Sequence, residues 1–422
     1  MYCGNGYSFS EYFKPLIEEL ADDCEIELLQ GDYHLGQTTK GLIQELTAKN
    51  NFAYQIIPVF TWNRSVLEYH RSMAQLTNNL KDKPFDLFVV SSDSSLTDRY
   101  LVDLAKSLGA KVVVIYASVF FVKLFNLYRK LIGVDKKSYL EKAKDKVATV
   151  KNMKQRKVSF LNYFWWRVKW LKEKIAKDFK IFMNYYILPY IFSRRTFPRN
   201  KYDTFSHVSG RADTFICYNF READAIRKVV IPAKDVRLAK HPAVLYCRSP
   251  KEATRKLLLL LGDQVDELRD DQISFWVEVI KEAVKAEGLN EVHFRFHPRT
   301  DKNLPQPKKL IASVAKLNLK TEIIDANTVP LVQILGDYLG VIGVLSGSLR
   351  TARAVSKGFV IGLLDACGNF PDEDWMLGDP EGIIWIRNGQ KIQAEHFAVP
   401  PLYGEDRPKV SEILKELVCS QR

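Results

Sequence analysis

Short β-branched runs that stop at glycine, serine or proline recur along this 422-residue chain, with amphipathic helical stretches between them. Strand-like runs at 25–29, 54–59, 86–91 and 111–116, with helical patterns at 10–20 and 97–108, fill the first part. The pattern resumes at 213–218, 256–262, 291–296, 321–324, 340–345, 359–364 and 383–386, with helical patterns at 271–286, 331–338 and 409–419. Strand, helix and strand in succession predict parallel α/β sheets. The length allows two or three domains at ~100–200 residues each. Where the alternation breaks, the chain divides into an N-terminal α/β domain (1–118), an insertion (119–204), a second α/β domain (205–405) and a C-terminal helix (406–422).

The insertion carries the charge. The chain is formally +12, yet residues 121–200 hold 21 Lys and Arg against 5 Asp and Glu, so everything outside them sums to −4. Phe164, Val168, Leu171, Ile175, Phe179 and Phe182 make an apolar helical stripe, thickened by Trp165, Trp166 and Trp170. Arg167, Lys169, Lys172, Lys174, Lys177 and Lys180 fill the other positions. The uncharged run that follows, 181–193, is 13 residues long, short of the ~20 a spanning helix needs. A cationic face, an aromatic face and no spanning length predict a helix lying in a membrane interface, with Trp165, Trp166, Arg167, Lys169, Trp170, Lys174 and Lys177 as its contacts. The competing reading is a helical insertion packed on the protein's own core with solvated lysines. Nucleic acid is a weaker partner for it, because no recognition-module signature accompanies the basic residues.

Two strand ends carry the candidate chemistry. The run Glu291 to Phe296 stops at His297-Pro298-Arg299, and Gly340 to Leu345 stops at Ser346-Gly347-Ser348 and turns helical through Arg350. Ligands of open parallel sheets bind outside the carboxyl ends of the strands, and a helix start there suits phosphate. Gly262, which ends the 256–262 run, joins this group. Near the N-terminus, Gly4-Asn5-Gly6 reads as a glycine loop entering a helix, open to an acceptor or a phosphate. Six scattered cysteines without a Cys-x-x-Cys pair point to a reducing compartment rather than a disulfide framework or structural zinc. The seven histidines show no metal-ligand spacing, and Asp372-Glu373-Asp374 reads as solvated acid, so no metal and no cofactor are expected. The N-terminus shows no signal peptide pattern.

Two α/β domains with a glycine-rich turn opening the first resemble the GT-B glycosyltransferase architecture, two Rossmann-like domains facing a cleft, here with a basic aromatic helical insertion. Residues 212–218 and 231–242, ending in His241-Pro242, resemble the entry to the second domain of such enzymes, although His241-Pro242 itself reads as a structural turn. His297-Pro298 and the pair Ser346 and Ser348 resemble the His-Pro and paired-serine motifs of bacterial sialyltransferases, capsule enzymes using CMP-sugars, and CDP-glycerol glycerophosphotransferases. The resemblance implies that His297 contacts the donor's phosphate and that Ser346 and Ser348 hold phosphate or ribose oxygens, with Arg299 and Arg350 adding charge. It also implies an acidic pair before a glycine as the base. That pair is not found here, and Asp93, just past a strong strand end, takes its place as the candidate.

The expected protein is therefore a peripheral glycosyltransferase on the cytoplasmic face of the cell membrane. It would move sialic acid, Kdo or a similar sugar from a nucleotide donor, CMP-sugar favoured, to a glycan or lipid-linked acceptor in surface polysaccharide synthesis. Polyol-phosphate transfer from CDP-glycerol keeps the fold and changes the chemistry. A non-catalytic membrane-surface scaffold on a degenerate GT-B frame is the reading from another class.

Overall fold

The structure is a computed structural model that describes residues 1–5, 9–33, 35–50, 52–59, 66–92, 96–115, 168, 172, 212–218, 220–229, 235–242, 244, 255–262, 265, 268–297, 300–326, 328–344, 347–356, 358–364, 383–398 and 406–420. Two sheets, both wholly parallel, organise the described residues. The first has seven strands: β1 (Tyr2–Asn5), β2 (Glu27–Tyr33), β3 (Ala53–Ile57), β4 (Leu87–Val90), β5 (Lys111–Ile115), β6 (Thr214–Cys217) and β7 (Asp235–Leu238). Their order is β3-β2-β1-β4-β5-β6-β7. The second has six: β8 (Lys256–Leu261), β9 (Glu291–Phe296), β10 (Lys320–Ile324), β11 (Gly340–Gly343), β12 (Phe359–Leu364) and β13 (Ile384–Arg387), in the order β10-β9-β8-β11-β12-β13. Each order reverses beside its first strand, between β1 and β4 in one sheet and between β8 and β11 in the other. Such reversals open the crevices where doubly wound folds hold ligands.

The sequence explains which strands lie inside. Every residue of β12 is buried, and so is all of β8 except Lys256 at its start, because a parallel strand covered by helices on both faces must be apolar throughout. Gly362 in β12 is required by packing, since a Cβ there would stand 2.2 Å from the Trp385 ring. The edge strands β3 and β10 expose Tyr54, Ile56 and Ile323. Helices α1 (Lys14–Leu20), α2 (Gln37–Asn50), α3 (Val66–Leu80) and α4 (Leu96–Ser107) serve the first sheet, followed by α5 (Phe220–Val229) between β6 and β7. Helices α6 (Asp270–Glu287), α7 (Pro305–Ala315), α8 (Leu331–Ile334) and α9 (Gly347–Val355) serve the second. The longest of these, α6, starts where the Gln272 side chain accepts the Arg269 amide (2.9 Å) and stops at Gly288, whose φ of 62° is a helix-ending conformation.

Two assignments differ from the sequence reading. Residues 212–238, expected in the second domain, complete the first sheet as β6, α5 and β7, because Thr214, Phe215 and Ile216 pair with Val113, Val114 and Ile115. The second α/β domain therefore begins after His241, not at 205. The C-terminal helix α10 (Val410–Cys419) returns to the first domain, where Ile413, Leu414 and Leu417 share a core with Phe13, Leu16 and Leu20. Each such buried side chain stabilises by roughly 1.5–3 kcal/mol. Arg237–Glu416 (2.9 Å) and Lys409–Glu19 (2.9 Å) flank the seam. The two crossings between domains meet there: the Lys240 amide donates to Pro408 O (2.9 Å), and Arg407 donates to Tyr218 O (2.7 Å).

A charged cluster closes the amino end of β9. Glu291 accepts from Lys320 (2.7 Å) and His293 (2.8 Å) and pairs with Lys256 (3.2 Å). These contacts, the Lys320 bond foremost, hold its carboxyl at about 2. A depressed acid stabilises the fold above its ordinary pKa and loses that contribution as pH falls toward the folded value. Glu291→Gln is therefore expected to lower Tm at pH 7, with the deficit shrinking as pH falls from about 4.5 to about 2. Thermal melts across that range check it, and a constant deficit would contradict the ion-pair account.

Candidate active site

The first domain contributes the reversal between β1 and β4. Gly4 and Asn5, expected in a loop, are the last residues of β1, and the pairing with β2 slips between Cys3 and Asn5. The Gly4 amide donates to Ser91 Oγ (3.1 Å) at the end of β4, which ties the two strand ends together. Gly31 makes room for the slip, since a Cβ there would lie 2.5 Å from the Gly4 carbonyl oxygen. The chain then forms one turn of π-helix, Phe9–Phe13. Phe9, Tyr12 and Phe13 are buried in the first domain's core, leaving Ser10 and Glu11 partly exposed. Such turns often mark functional sites because they rotate one side chain out of the helical register. Tyr12 stacks on Tyr218 (centroids 5.4 Å apart) and lies 4.7 Å from the His241 ring, at the crossing between domains. Burial holds the His241 imidazole neutral, pushed down to about 3.

The second domain contributes three neighbouring strand ends. His297 follows β9, Gly262 follows β8, and α9 begins at Gly347 just beyond β11. Because β8 lies between β9 and β11, these positions form one continuous rim. The His297 amide donates to Leu261 O (2.9 Å), its carbonyl accepts the Thr300 amide (2.9 Å), and Thr300 Oγ1 reaches Gly262 O (3.5 Å). These bonds fix the turn that carries His297. The rim sits at the reversal between β8 and β11, with the amide groups of the α9 start beside it, an arrangement suited to an anionic group.

The two rims meet through Glu11. Its carboxyl faces Thr351 on α9 and the Arg295 guanidinium on β9, both from the second domain. Arg295 is itself held by the Val329 and Ala326 carbonyls (2.6 and 3.4 Å). Desolvation pushes the Glu11 carboxyl up to about 7, with Arg295 and Thr351 acting in the opposite direction. The sequence reading missed Glu11. It stands in a run, 10–20, that reads as an ordinary amphipathic helix, where an acid near the first turn is unremarkable.

Of the residues named from sequence, the structure brings Gly262, His297, Gly347 and Ser348 to one rim, with Ser348 exposed and Arg350 buried (7% exposed) on α9. Gly4 and Asn5 lie at the opposing rim. Gly6, Asp93, Pro298, Arg299 and Ser346 lie outside the described residues, as does Asp372-Glu373-Asp374. So do Trp165, Trp166, Arg167, Lys169, Trp170, Lys174 and Lys177 of the insertion. Two of its residues are described: Val168, helical and exposed, and Lys172, one turn on and also exposed. No helix among the described residues is long and apolar enough to cross a membrane. Among those residues, Glu291, His293 and Glu322 bring metal-ligand atoms within 4.8 Å of one another. Lys256 and Lys320 already satisfy Glu291, and His293 Nδ1 bonds Tyr338 (2.8 Å), so ion pairing accounts for the group. A cavity of about 930 Å³ lies at the amino-terminal edge of the first sheet, lined by Ile26, Phe52, Asp86 and Leu414 among others. It is on the far side of the sheet from both rims.

No family model matches the chain, and no curated protein matches it. Solved structures do. A Listeria monocytogenes protein assigned as a UDP-N-acetylglucosamine 2-epimerase aligns with a TM-score of 0.50 at 10% identity, covering 100% of this chain and 88% of that one. The UDP-GlcNAc 2-epimerase of Methanocaldococcus jannaschii aligns at 0.49 and 12%, covering both chains fully. Acinetobacter baumannii MurG aligns at 0.43 and 9%, covering 100% and 98%. At such identities the likeness is one of fold. The chain has the GT-B fold, with two Rossmann-like domains facing a cleft, as its two reversed parallel sheets and its returning C-terminal helix already define.

An acid whose pKa rises on folding costs stability once it ionises, so the Glu11 contribution falls as pH climbs from about 4.5 to about 7. Glu11→Gln cannot ionise. Its Tm relative to the native chain is expected to be higher at pH 8 than at pH 5, and a difference independent of pH would show that Glu11 titrates normally.

Proposed function

We propose that the chain transfers a glycosyl group from a nucleotide-activated donor. The observation that carries this reading is the opposition of two strand-end rims across one cleft: an anion-suited rim at His297, Gly262 and the α9 start, and a carboxyl at Glu11 facing it. Nucleotide phosphate belongs at the first, where amide groups and an imidazole complement a leaving group's charge. Ser346, Ser348, Arg299 and Arg350 extend that cradle. The GT-B fold hosts this chemistry, and solved structures in complex with UDP and with UDP-glucose are among its structural neighbours. Within this reading a CMP-sugar is the favoured donor and a glycan or lipid-linked molecule the acceptor, in surface polysaccharide synthesis. The His-Pro and split serine motifs support that choice.

A donor panel tests it: CMP-, UDP- and GDP-sugars and CDP-glycerol, with calorimetric binding and nucleotide release as readouts. His297→Ala is expected to weaken binding of the preferred nucleotide by about 10- to 100-fold, the value of a hydrogen bond to a charged group. Release from CDP-glycerol alone would favour polyol-phosphate transfer. A UDP-sugar epimerised without an acceptor would favour the activity assigned to the Listeria structure. Native-like binding by His297→Ala with no release from any donor would favour a non-catalytic scaffold.

The basic insertion supports a place at an anionic membrane surface. Its 21 cationic residues over 121–200 greatly exceed what docking requires, since each Lys or Arg near such a surface contributes about 1 kcal/mol. Deleting 155–195 is expected to release the protein from phosphatidylglycerol-containing liposomes at physiological salt in a co-sedimentation assay. Retained binding would remove the membrane role.

A further inference from the structure

We infer that Glu11, rather than Asp93, is the catalytic residue that takes the acceptor's proton. The inference rests on the glycosyl-transfer reading and names the group which that reading leaves open. In a single displacement, the acceptor oxygen bonds to the donor's anomeric carbon as the bond from that carbon to the donor phosphate breaks. The electron pair leaves with the phosphate, and the hydroxyl proton passes to the Glu11 carboxylate and from there to water.

Three features of the geometry carry it. First, the π-turn buries Phe9, Tyr12 and Phe13 and leaves Glu11 out of the core, while the contacts of Tyr12 with Tyr218 and His241 fix the turn from beneath. Glu11 is thus held on an anchored element and not on a free loop. Second, both neighbours that act on its carboxyl belong to the other domain, so it lies in the cleft. Third, Thr351 stands four residues into α9 from Gly347, which at ~1.5 Å per residue is ~6 Å from the helix start. Thr351 is buried there, so a carboxyl that faces it lies close to the rim suited to the donor's phosphate. Glu11 therefore stands beside the rim suited to the leaving group, on the opposite wall of the cleft.

The environment fits the role. A base works best when its pKa lies near the operating pH, and desolvation brings Glu11 to about 7 while Arg295 keeps its charged form accessible. The alternative is a latch, in which Glu11 merely ties the first domain to Thr351.

The test compares Glu11→Gln, Glu11→Asp, Asp93→Asn and Thr351→Val with the native chain on the donor panel, using alkyl glycosides as acceptors. Nucleotide release gives kcat and KM against pH, calorimetry gives nucleotide affinity, and circular dichroism checks folding. For the native chain, kcat/KM is expected to rise with pH through about 7. Glu11→Gln should lose this limb and about 100-fold or more in kcat, while nucleotide affinity stays within about threefold. Glu11→Asp should keep the limb at reduced kcat, Asp93→Asn should keep it, and Thr351→Val should turn over with the limb moved to higher pH. Three results would overturn the assignment and leave the transferase reading standing: native kcat in Glu11→Gln, loss of the limb in Asp93→Asn alone, or parallel losses of affinity and stability in Glu11→Gln and Thr351→Val with the limb unmoved. A native chain that neither binds nor cleaves any donor would overturn both.

Discussion

Parallel pairing is the constraint on which the rest of this molecule depends. When every strand of a sheet runs the same way, every strand-to-helix turn leaves at one edge and every return enters at the other. Polar and catalytic groups can then gather at one rim without interrupting the apolar interior of strands such as β8 and β12. Each sheet also reverses its winding beside its first strand, which splits the helices apart and opens a crevice. Two such sheets placed rim to rim produce a cleft with a phosphate-suited wall and a carboxyl-bearing wall. The opposite rims are left to structural chemistry, such as the Glu291 cluster at the amino end of β9.

Keeping the rims opposed is the work of the two interdomain crossings. The outgoing segment at Lys240 and His241 and the returning one at Arg407 and Pro408 hydrogen-bond to each other and to Tyr218. Helix α10 then anchors the return in the first domain's core. The same locality holds the π-turn through Tyr12, so the element that carries Glu11 shares an aromatic cluster with the hinge. Two titratable groups here are shifted by burial in opposite chemical senses. Burial keeps His241 uncharged and favours a neutral Glu11, because a low-dielectric seam penalises either charge. His241 loses stability for the fold as pH falls below its ordinary 6.5, and Glu11 loses it as pH rises toward about 7. The seam is thus most favourable in a neutral state.

The strands themselves were legible. The runs 291–296 and 359–364 carry the same bounds in sequence and structure, since an apolar run ended by small or polar residues has few alternatives in a buried parallel sheet. Sheet membership was not legible. Residues 214–217 and 235–238 read as an entry to the second domain because 212–218 and 231–242 resemble that entry in GT-B enzymes. The first of these pairs with β5, about a hundred residues upstream, and the second pairs with the first, so one long-range pairing that leaves no local mark decides the sheet of both. Gly4 and Asn5 read as a loop because glycine signals a turn. They pair instead with β2, where it is Gly31 that permits the close approach to the Gly4 carbonyl.

The candidate site divides along the same line. His297, Gly262 and the α9 start were legible because a strand end, a small residue and a helix start are written in adjacent letters. Glu11 was not, because its chemistry belongs to neither domain alone. Within the first domain it is an unremarkable acid on a partly exposed turn. Its neighbours Arg295 and Thr351 come from the second domain and favour its charged form, against the desolvation that raises its carboxyl to about 7. A carboxyl whose charged neighbour and hydroxyl neighbour both stand on another domain carries no mark of them in its own stretch of sequence. Such a group needs no acidic motif around it, whereas Asp93 is marked in the sequence by the strand end that it follows.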